Sequence, residues 1–379
     1  MALGRERLVT WGLQLLALVV AFAFALAVGS VIILGYHTSP ATVYHAIIQF
    51  SFGSMDGFAK MLQIATPLIF SALALTVCYK ASMFNIGVEG QYLVAMGTAS
   101  FAALHFGWLG PFQVVVVLIF GMLGGMAWAA VPAILKVRTG AHEVVTTIMM
   151  NGIAVFLVAW ALNGFLKYHS TNGQLNVDLR TDYFPKTALV PTLGHLIPGV
   201  NPDTSLSWML PLGIVCAFLV WFLLKRTRLG FEARAVGSSP GSAHAGGIGI
   251  GSVQMKMFLI SGALAGLVGM QQILSTNNYF PQNYEAALGF TGIAVAFLGQ
   301  NNPFGILAAA VMWAVLARGE DAIQIETNVP REMIIILQAI LILSVVVAYQ
   351  IARRRIARRQ LRAAASDGED FEDSDVEAA

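Results

Sequence analysis

The residues that could do chemistry are polar side chains set within long apolar segments. The densest group, residues 84–91 (FNIGVEGQ), combines one carboxylate, two side-chain amides and two glycines. Polar groups are costly inside a membrane and are therefore functional candidates, and glycines this close to Glu89 indicate an irregular or tightly packed backbone. Two interpretations stay open: an unwound segment that lines a transport path, or a loop near the cytoplasm in which Glu89 pairs with Lys80 or an arginine. Asn85, Glu89 and Gln91 are the candidate pathway residues here.

Further amides lie in later apolar segments. Asn151 and Asn163 are twelve residues apart, roughly 120° around a straight helix, and need not share a face. Interhelical hydrogen bonds explain them about as well as substrate contacts do, and Asn151 joins the candidate pathway residues. A third set could face a delivered ligand or form an aromatic belt at the membrane interface; it consists of Gln271, Gln272, Asn277, Asn278, Tyr279, Phe280 and Tyr284.

Motifs for catalysis are incomplete. The segment from His142 to Thr146 has the start of the zinc helix motif but lacks the second histidine. The glycine-rich run 246–251 does not fit the dinucleotide fingerprint. No Gly-Lys-Ser or Gly-Lys-Thr occurs, so the chain has no phosphate-binding P-loop. We therefore expect a chain that is not an enzyme and binds no cofactor or metal.

The composition places these residues in a membrane. Of 379 residues, 57% are hydrophobic and 11% are charged, whereas about 25% are charged in a soluble domain. Of the 42 charges, 13 lie after position 352, which leaves 29 for the first 352 residues. That number is too small for a water-facing surface of this size, so a soluble enzyme, a nucleic-acid binder and a disulfide-stapled secreted domain are all excluded.

Apolar stretches predict an all-α polytopic membrane protein, since a helix needs about 20 apolar residues to cross the hydrocarbon. The first stretch could also be a signal peptide, but eight more follow it. Pro303 disfavours helix just before it and divides the eighth stretch into two short passes; one kinked span is the alternative. Ten passes result. The stretches are 11–35, 59–79, 91–106, 112–135, 143–166, 207–224, 257–274, 289–318 and 333–350.

Basic residues beside the span ends predict the orientation. They agree with the positive-inside rule if the N-terminus is cytoplasmic, and an even number of passes also keeps the arginines after position 352 inside. We predict a transmembrane domain over 1–352, with an external cap segment at 167–206 and a cytoplasmic loop at 225–256. The tail 353–379 is basic and then acidic, and is predicted to be a disordered cytoplasmic segment.

Small residues predict close helix packing. Two glycine-rich faces are typical of helices whose backbones approach each other. They consist of Gly121, Gly124 and Gly125 in the fourth stretch, and Gly262, Gly266 and Gly269 in the seventh.

The loop 225–256 carries a helix signal. Ser239 before Pro240 is typical of a cap followed by a first-turn proline, and glycines at 246 and 247 end the short helix after about Ala245. Such a short helix is better accommodated in the groove of a partner protein than alone in water, which predicts a docking element. A solvated connector is the alternative.

Four segments together resemble the membrane (permease) subunit of bacterial ABC importers in the branched-chain amino acid, ribose and nucleoside group. They are 84–91, 229–248 with its centre at 232–237, 290–299 followed by 302–305, and, more weakly, 143–151. The segments 85–91 and 143–151 look most like the nucleoside-type permeases that work with a basic-membrane-protein-like lipoprotein.

The resemblance implies a type II-like bundle of about ten helices in the bacterial plasma (inner) membrane, with both termini cytoplasmic. It implies an ATPase subunit that carries ATP and Mg²⁺, a second permease, identical or homologous, and an extracytoplasmic solute-binding lipoprotein. A sugar or branched-chain amino acid permease is the alternative, and an ion-coupled secondary transporter with Glu89 as coupling carboxylate is the rival mechanism. The loop residues expected to couple to the ATPase are Leu229, Gly230, Phe231, Glu232, Ala233, Arg234, Gly237, Ser239, Pro240 and His244.

Overall fold

The structure is a computed structural model that describes residues 19–20, 22–167, 179–201, 204–326, 330, 332–345, 347–348, 351 and 354. Arg5 and Arg7, the basic residues that precede the first predicted stretch, lie outside the described residues. So do residues 168–178 and 202–203 of the predicted cap and, apart from Arg354, the predicted tail.

The described chain is helical and contains no strand; its β-structure is limited to two isolated bridges. This agrees with the predicted all-α class. The helices are α1 Phe22–Gly35, α2 Pro40–Phe52, α3 Met55–Tyr79, α4 Val88–His105, α5 Gln113–Thr139, α6 Glu143–Asn163, α7 Met209–Arg226, α8 Arg228–Ser238, α9 Pro240–Ala245, α10 Ile250–Ala265, α11 Leu288–Leu298, α12 Pro303–Glu326 and α13 Glu332–Val345.

Four helices of the described chain are long and apolar enough to cross a membrane alone: α3, α5 with the 3₁₀ turn before it, α6 and α7. The consecutive helices α1 and α2, bent by 116° at the break between them, would supply a fifth span if they cross together. These helices identify a multi-pass membrane protein. Helices α10, α11 and α13 are apolar but have only 10–17 residues each, fewer than a complete span needs. The ten passes and the location of the termini therefore stay predictions.

The predicted break before Pro303 is confirmed. Helix α11 ends at Leu298 and α12 begins at Pro303, and between them Gln300 and Asn301 have positive φ values of 56° and 49°. The side chain of Asn302 accepts a hydrogen bond from the backbone N–H of Phe304 (3.1 Å), which caps α12 just before its first-turn proline.

The two predicted glycine faces meet each other. Helix α10 packs against α5, and a Cβ at Gly125 would strike the backbone carbonyl of Gly262, while one at Gly266 would strike that of Gly121. Two backbones can approach this closely only where side chains are absent. Helices α5 and α10 therefore form a close backbone-to-backbone pair.

Two helices were not predicted. Helix α2 contains the polar residues Tyr44, His45 and Gln49, so its sequence resembles a polar connector between two apolar stretches. Helix α8 occupies part of the loop predicted to hold only one short helix; Thr227 caps its start by accepting a hydrogen bond from Gly230 N (3.1 Å). Its buried residues, Gly230, Ala233 and Val236, are small and three apart, a weak signal in a loop.

The chain divides into two compact units, 1–46 with 320–379, and 47–319. Within the first, α1 contacts α13 through Gly29 and Leu337, and the Tyr44 hydroxyl donates to the carbonyl of Leu26 (2.7 Å). Within the second, α4 packs on α5 and α6, and α3 packs on α7, α10 and α11. All candidate site residues lie in the second unit.

Candidate functional site

Helix α3 connects the two polar ends of the second unit. Near its start, the Asp56 carboxylate accepts a hydrogen bond from Thr204 Oγ1 (2.5 Å), which belongs to the predicted external cap. Just past its end, the backbone of Lys80 lies against Gly237 of α8. Because α3 has 25 residues, these two regions are separated by about 37 Å, enough to place them on opposite faces of a membrane.

Asn85 is the centre of a buried hydrogen-bond network at the start of α4. Its Nδ2 donates to Gln91 Oε1 (3.0 Å) and to Ser261 Oγ on α10 (2.8 Å), and its Oδ1 accepts from Gly87 N (3.0 Å) and Gln91 Nε2 (3.0 Å). Ser261 in turn donates to the carbonyl of Ala74 on α3 (2.6 Å). Both amides are almost completely buried, and these bonds tie α3, α4 and α10 together.

Glu89 holds the start of α11. Its Oε1 accepts hydrogen bonds from the Tyr92 hydroxyl (2.8 Å) and from Ala287 N (2.8 Å), and its Oε2 accepts from Gly289 N (2.9 Å). The two backbone N–H groups belong to the first turn of α11, where an intrahelical acceptor is missing and a carboxylate is favoured by the helix dipole. Glu89 thus caps a helix that begins about 200 positions later in the chain. The loop interpretation required Glu89 to pair with Lys80 or an arginine, and neither is among its partners in the described residues.

Asn151 joins α6 to the same region. Its Oδ1 accepts from Gly90 N (2.9 Å) and its Nδ2 donates to the carbonyl of Ile86 (3.0 Å). Asn163, by contrast, is exposed and donates to Ala159 of its own helix (2.8 Å). The structure therefore separates two asparagines that the sequence left equivalent.

The four predicted pathway residues are brought together around one segment, 85–91. We call Asn85, Glu89, Gln91 and Asn151 the α4 network. Each makes at least two hydrogen bonds to protein groups, so the network joins α3, α4, α6, α10 and α11. A direct contact of these side chains with a transported solute stays a prediction.

Three residues beside the network that the pathway prediction left out lie at the surface of the second unit. Glu285, Ala286 and Phe290 flank the Glu89-capped start of α11 and are exposed, although the backbone of Glu285 is fixed by Gln272 Oε1 (3.2 Å) and the Tyr92 hydroxyl (2.9 Å). Only long-range contacts place them next to Glu89, so spacing in the sequence could not identify them.

The short helix predicted in the loop is confirmed. Helix α9 runs over Pro240–Ala245, Ser239 Oγ accepts from Ser242 N (3.3 Å), and Gly246 follows as the C-cap. We call α8 and α9 together the α8–α9 loop. Of the predicted coupling residues, Gly230 and Ala233 are buried and Leu229 and Gly237 are partly buried, whereas Phe231, Ser239, Pro240 and His244 are exposed.

Glu232 and Arg234, the two charged residues among those predicted to couple to the ATPase, lie in different environments. Glu232 pairs with Arg228 one turn earlier (2.8 Å). Arg234 is partly buried, and among the described residues no hydrogen-bond partner is found for its Nη1. Burial lowers the pKa of Lys80, and the nearby charges of Lys225 and Arg234 lower it further, so the inner side of α8 carries an excess of positive charge.

Comparisons with known proteins give a consistent result. Residues 57–346 match the family model for the branched-chain amino acid transport system / permease component. The chain is 34% identical to the guanosine ABC transporter permease protein NupP of Bacillus subtilis, over 89% of this chain and 94% of that protein.

Two further relatives have lower identity but similar coverage. The glucose ABC transporter permease protein TsgB13 of Haloferax volcanii is 28% identical over 88% of this chain and 87% of its own length. The nucleoside ABC transporter permease protein NupB of Lactococcus lactis is 29% identical over 89% of this chain and 92% of its own length.

Proposed function

The chain belongs to the family of branched-chain amino acid transport system permease components, and on that premise we propose that it is the permease subunit of an ATP-driven ABC importer for nucleosides in a bacterial inner membrane. The observation that carries the solute class is the 34% identity, over 89% of the chain, with a guanosine permease. The chain itself performs no covalent chemistry and binds no cofactor; ATP and Mg²⁺ would be bound by a separate ATPase.

The α8–α9 loop is the proposed docking element for that ATPase. Phe231 on α8 is 60% exposed, and α9, which contacts α8, is exposed at five of its six residues. A large apolar side chain and a short capped helix fit a groove in a partner better than they fit bulk water. Glu232 and Arg234 are proposed to provide the polar contacts around this apolar centre.

The α4 network is the proposed link between the loop and the pathway. The turn that Gly237 contacts, at Lys80, leads directly into residues 84–91, where the network fixes the starts of α4 and α11. A transporter must make different contacts in its outward-open and inward-open states. Movement of α8 by the ATPase would displace this turn and, through Glu89, the exposed start of α11.

A second permease subunit and an extracytoplasmic solute-binding lipoprotein would complete the complex. A simple sugar is the second candidate solute, because the Haloferax relative with 28% identity is a glucose permease.

The test is uptake of radiolabelled guanosine by proteoliposomes that contain this chain, its ATPase, the second permease and the binding protein. We expect uptake that requires ATP and that excess adenosine or uridine reduces, while glucose and leucine have no effect. Competition by glucose alone would assign the sugar instead. Uptake by this chain without an ATPase, driven by a proton or sodium gradient, would replace the ABC mechanism with the ion-coupled one.

A further inference from the structure

A cavity of about 740 Å³ opens at the end of the second unit opposite the α8–α9 loop. Its walls come from two segments, 179–183 of the predicted cap and 277–283 between α10 and α11. The volume lies within the range of about 300–1,000 Å³ that is typical of small-molecule sites. The polar and aromatic lining residues are Arg180, Tyr183, Asn277, Tyr279, Gln282 and Asn283.

Backbone hydrogen bonds fix the two walls against each other. Thr181 N donates to the carbonyl of Phe280 (3.0 Å), Phe280 N donates to Thr181 Oγ1 (3.0 Å), and Gln282 N donates to the carbonyl of Leu179 (2.8 Å). Thr181 and Phe280 are completely buried beneath the cavity. The side chains that point from these segments are therefore held by a rigid base.

Arg180 is positioned by two aromatic rings. Its Cζ lies 4.7 Å from the ring centroid of Tyr183 and 4.8 Å from that of Tyr279, within the range of cation–π contacts. The two rings meet edge to face at 5.3 Å. This arrangement restricts a long side chain that would otherwise sample many rotamers, and Tyr183 remains 59% exposed.

These groups match the chemistry of a nucleobase. A planar base stacks on an aromatic or guanidinium face, and the N–H groups of arginine pair with base acceptors such as guanine O6 and N7. The side-chain amides of Asn277, Gln282 and Asn283 add donors and acceptors for the remaining edge atoms.

We propose that this cavity is an outer binding site for the base of a nucleoside, occupied before the solute reaches the start of α11. Tyr183 provides the stacking face, and Arg180 donates hydrogen bonds to the base edge. This inference rests on the proposed nucleoside function and adds a site to it.

The test uses the importer complex in nanodiscs without its solute-binding protein, so that any labelling reports on the membrane subunits. Tritiated 8-azidoadenosine is photoactivated, and the modified peptides are mapped by mass spectrometry. We expect modification of the peptides that contain Tyr183 or Tyr279, reduced at least fivefold by excess guanosine and unaffected by ribose.

Variants sharpen the assignment. Arg180→Ala and Tyr183→Ala are each expected to reduce the labelling on the order of tenfold, since stacking contributes substantially per base, while Tyr183→Phe retains the ring and most of the labelling. Lys186→Ala, which removes an exposed cation from the same cap segment outside the cavity, is the matched control and is expected to label like the parent chain.

Labelling of neither peptide, labelling that guanosine does not compete, or equal competition by ribose would overturn the site. These outcomes are all measured on the wild-type complex, so the proposal can be overturned even if a variant fails to fold. ATP-dependent guanosine uptake is measured on the same complex with its binding protein added. Uptake without cavity labelling removes the site only, whereas labelling without ATP-dependent uptake removes the proposed importer function and keeps the site.

Discussion

The α4 network and the α8–α9 loop both collect polar residues next to α3, yet they use them in opposite ways. In the network the polar side chains are buried and bonded to other helices: Asn85 is fully buried and Glu89 is 8% exposed. In the loop the only ion pair described joins neighbours on one helix surface, Arg228 and Glu232, and the Arg228 side chain is 92% exposed.

The difference follows from the cost of burial. A polar group removed from water without a partner costs about 1–3 kcal/mol, so a buried network must be complete. An exposed loop has no such requirement and can keep surfaces that only a partner satisfies. We therefore expect substitutions in the network to affect folding, and substitutions in the loop to affect assembly.

The largest expected effect is that of Glu89→Ala. The substitution leaves Ala287 N and Gly289 N without the acceptor that they share, at about 1–3 kcal/mol for each buried donor, while the Tyr92 hydroxyl keeps the carbonyl of Glu285 as an acceptor. We expect the protein to lose about 3 kcal/mol of stability, measured by the thermal unfolding midpoint of the purified chain in detergent. Glu89→Gln keeps one acceptor oxygen, so its unfolding midpoint should lie between those of the parent chain and of Glu89→Ala.

The matched control is Glu232→Ala, which removes a carboxylate paired only with an exposed arginine. Surface pairs of this kind contribute about 0–1 kcal/mol, so the unfolding midpoint should hardly move. Equal destabilisation by the two alanine variants would abolish the distinction between a completed network and an open loop.

How far the sequence predicts this architecture depends on the distance between the interacting residues. The cap at Ser239, the break before Pro303 and the glycine faces at Gly125 and Gly262 are local patterns, and the structure contains all of them. The capping of α11 by Glu89 joins positions 200 residues apart, which no local spacing encodes. The approach of Arg180 to Tyr279 across the cavity has the same origin.

Helix α8 was missed for a different reason. Its buried positions are occupied by Gly230, Ala233 and Val236, which are too small to produce a clear apolar stripe. Small residues are nevertheless required on that side of α8. A Cβ at Gly230 would strike the carbonyl of Leu223, and a Cβ at Gly237 would strike that of Lys80. Close packing thus removed the very pattern that predicts a helix.

Asn151→Ala is expected to have the second-largest effect. It removes the acceptor of Gly90 N and the donor to the carbonyl of Ile86, and both groups remain in a region with little access to water. We expect a loss of about 2 kcal/mol in the same unfolding measurement. Asn163→Ala, twelve residues along the same helix, is the control and should change stability little, because Asn163 is exposed and bonded only within α6. A reversed order of these two variants would contradict the assignment of Asn151 to the network.

Arg234→Glu tests the loop. The inner side of α8 already holds Lys80 and Lys225 near Arg234, so the reversed charge relieves repulsion, and insertion and stability should stay normal. We expect association with the ATPase, measured by co-purification and by titration of the labelled ATPase, to weaken on the order of tenfold, about 1.4 kcal/mol. Lys186→Glu makes the same charge reversal at the opposite end of the unit and should leave the association unchanged. Unchanged association and uptake in Arg234→Glu would remove the docking role of Arg234.

The smallest expected effect is that of Ser239→Ala, which separates the geometry of the loop from its charge. The substitution removes the acceptor for Ser242 N at the start of α9, and the loss of an N-cap costs about 1 kcal/mol. Since α9 has only six residues, this cost lowers its population before the ATPase binds, and the affinity should fall by about fivefold or less. Ser239→Asp restores the cap and should restore the affinity. If Ser239→Asp weakened the association as much as Ser239→Ala does, the ATPase would be reading the serine side chain itself, and the preformed helix would not be what it recognises.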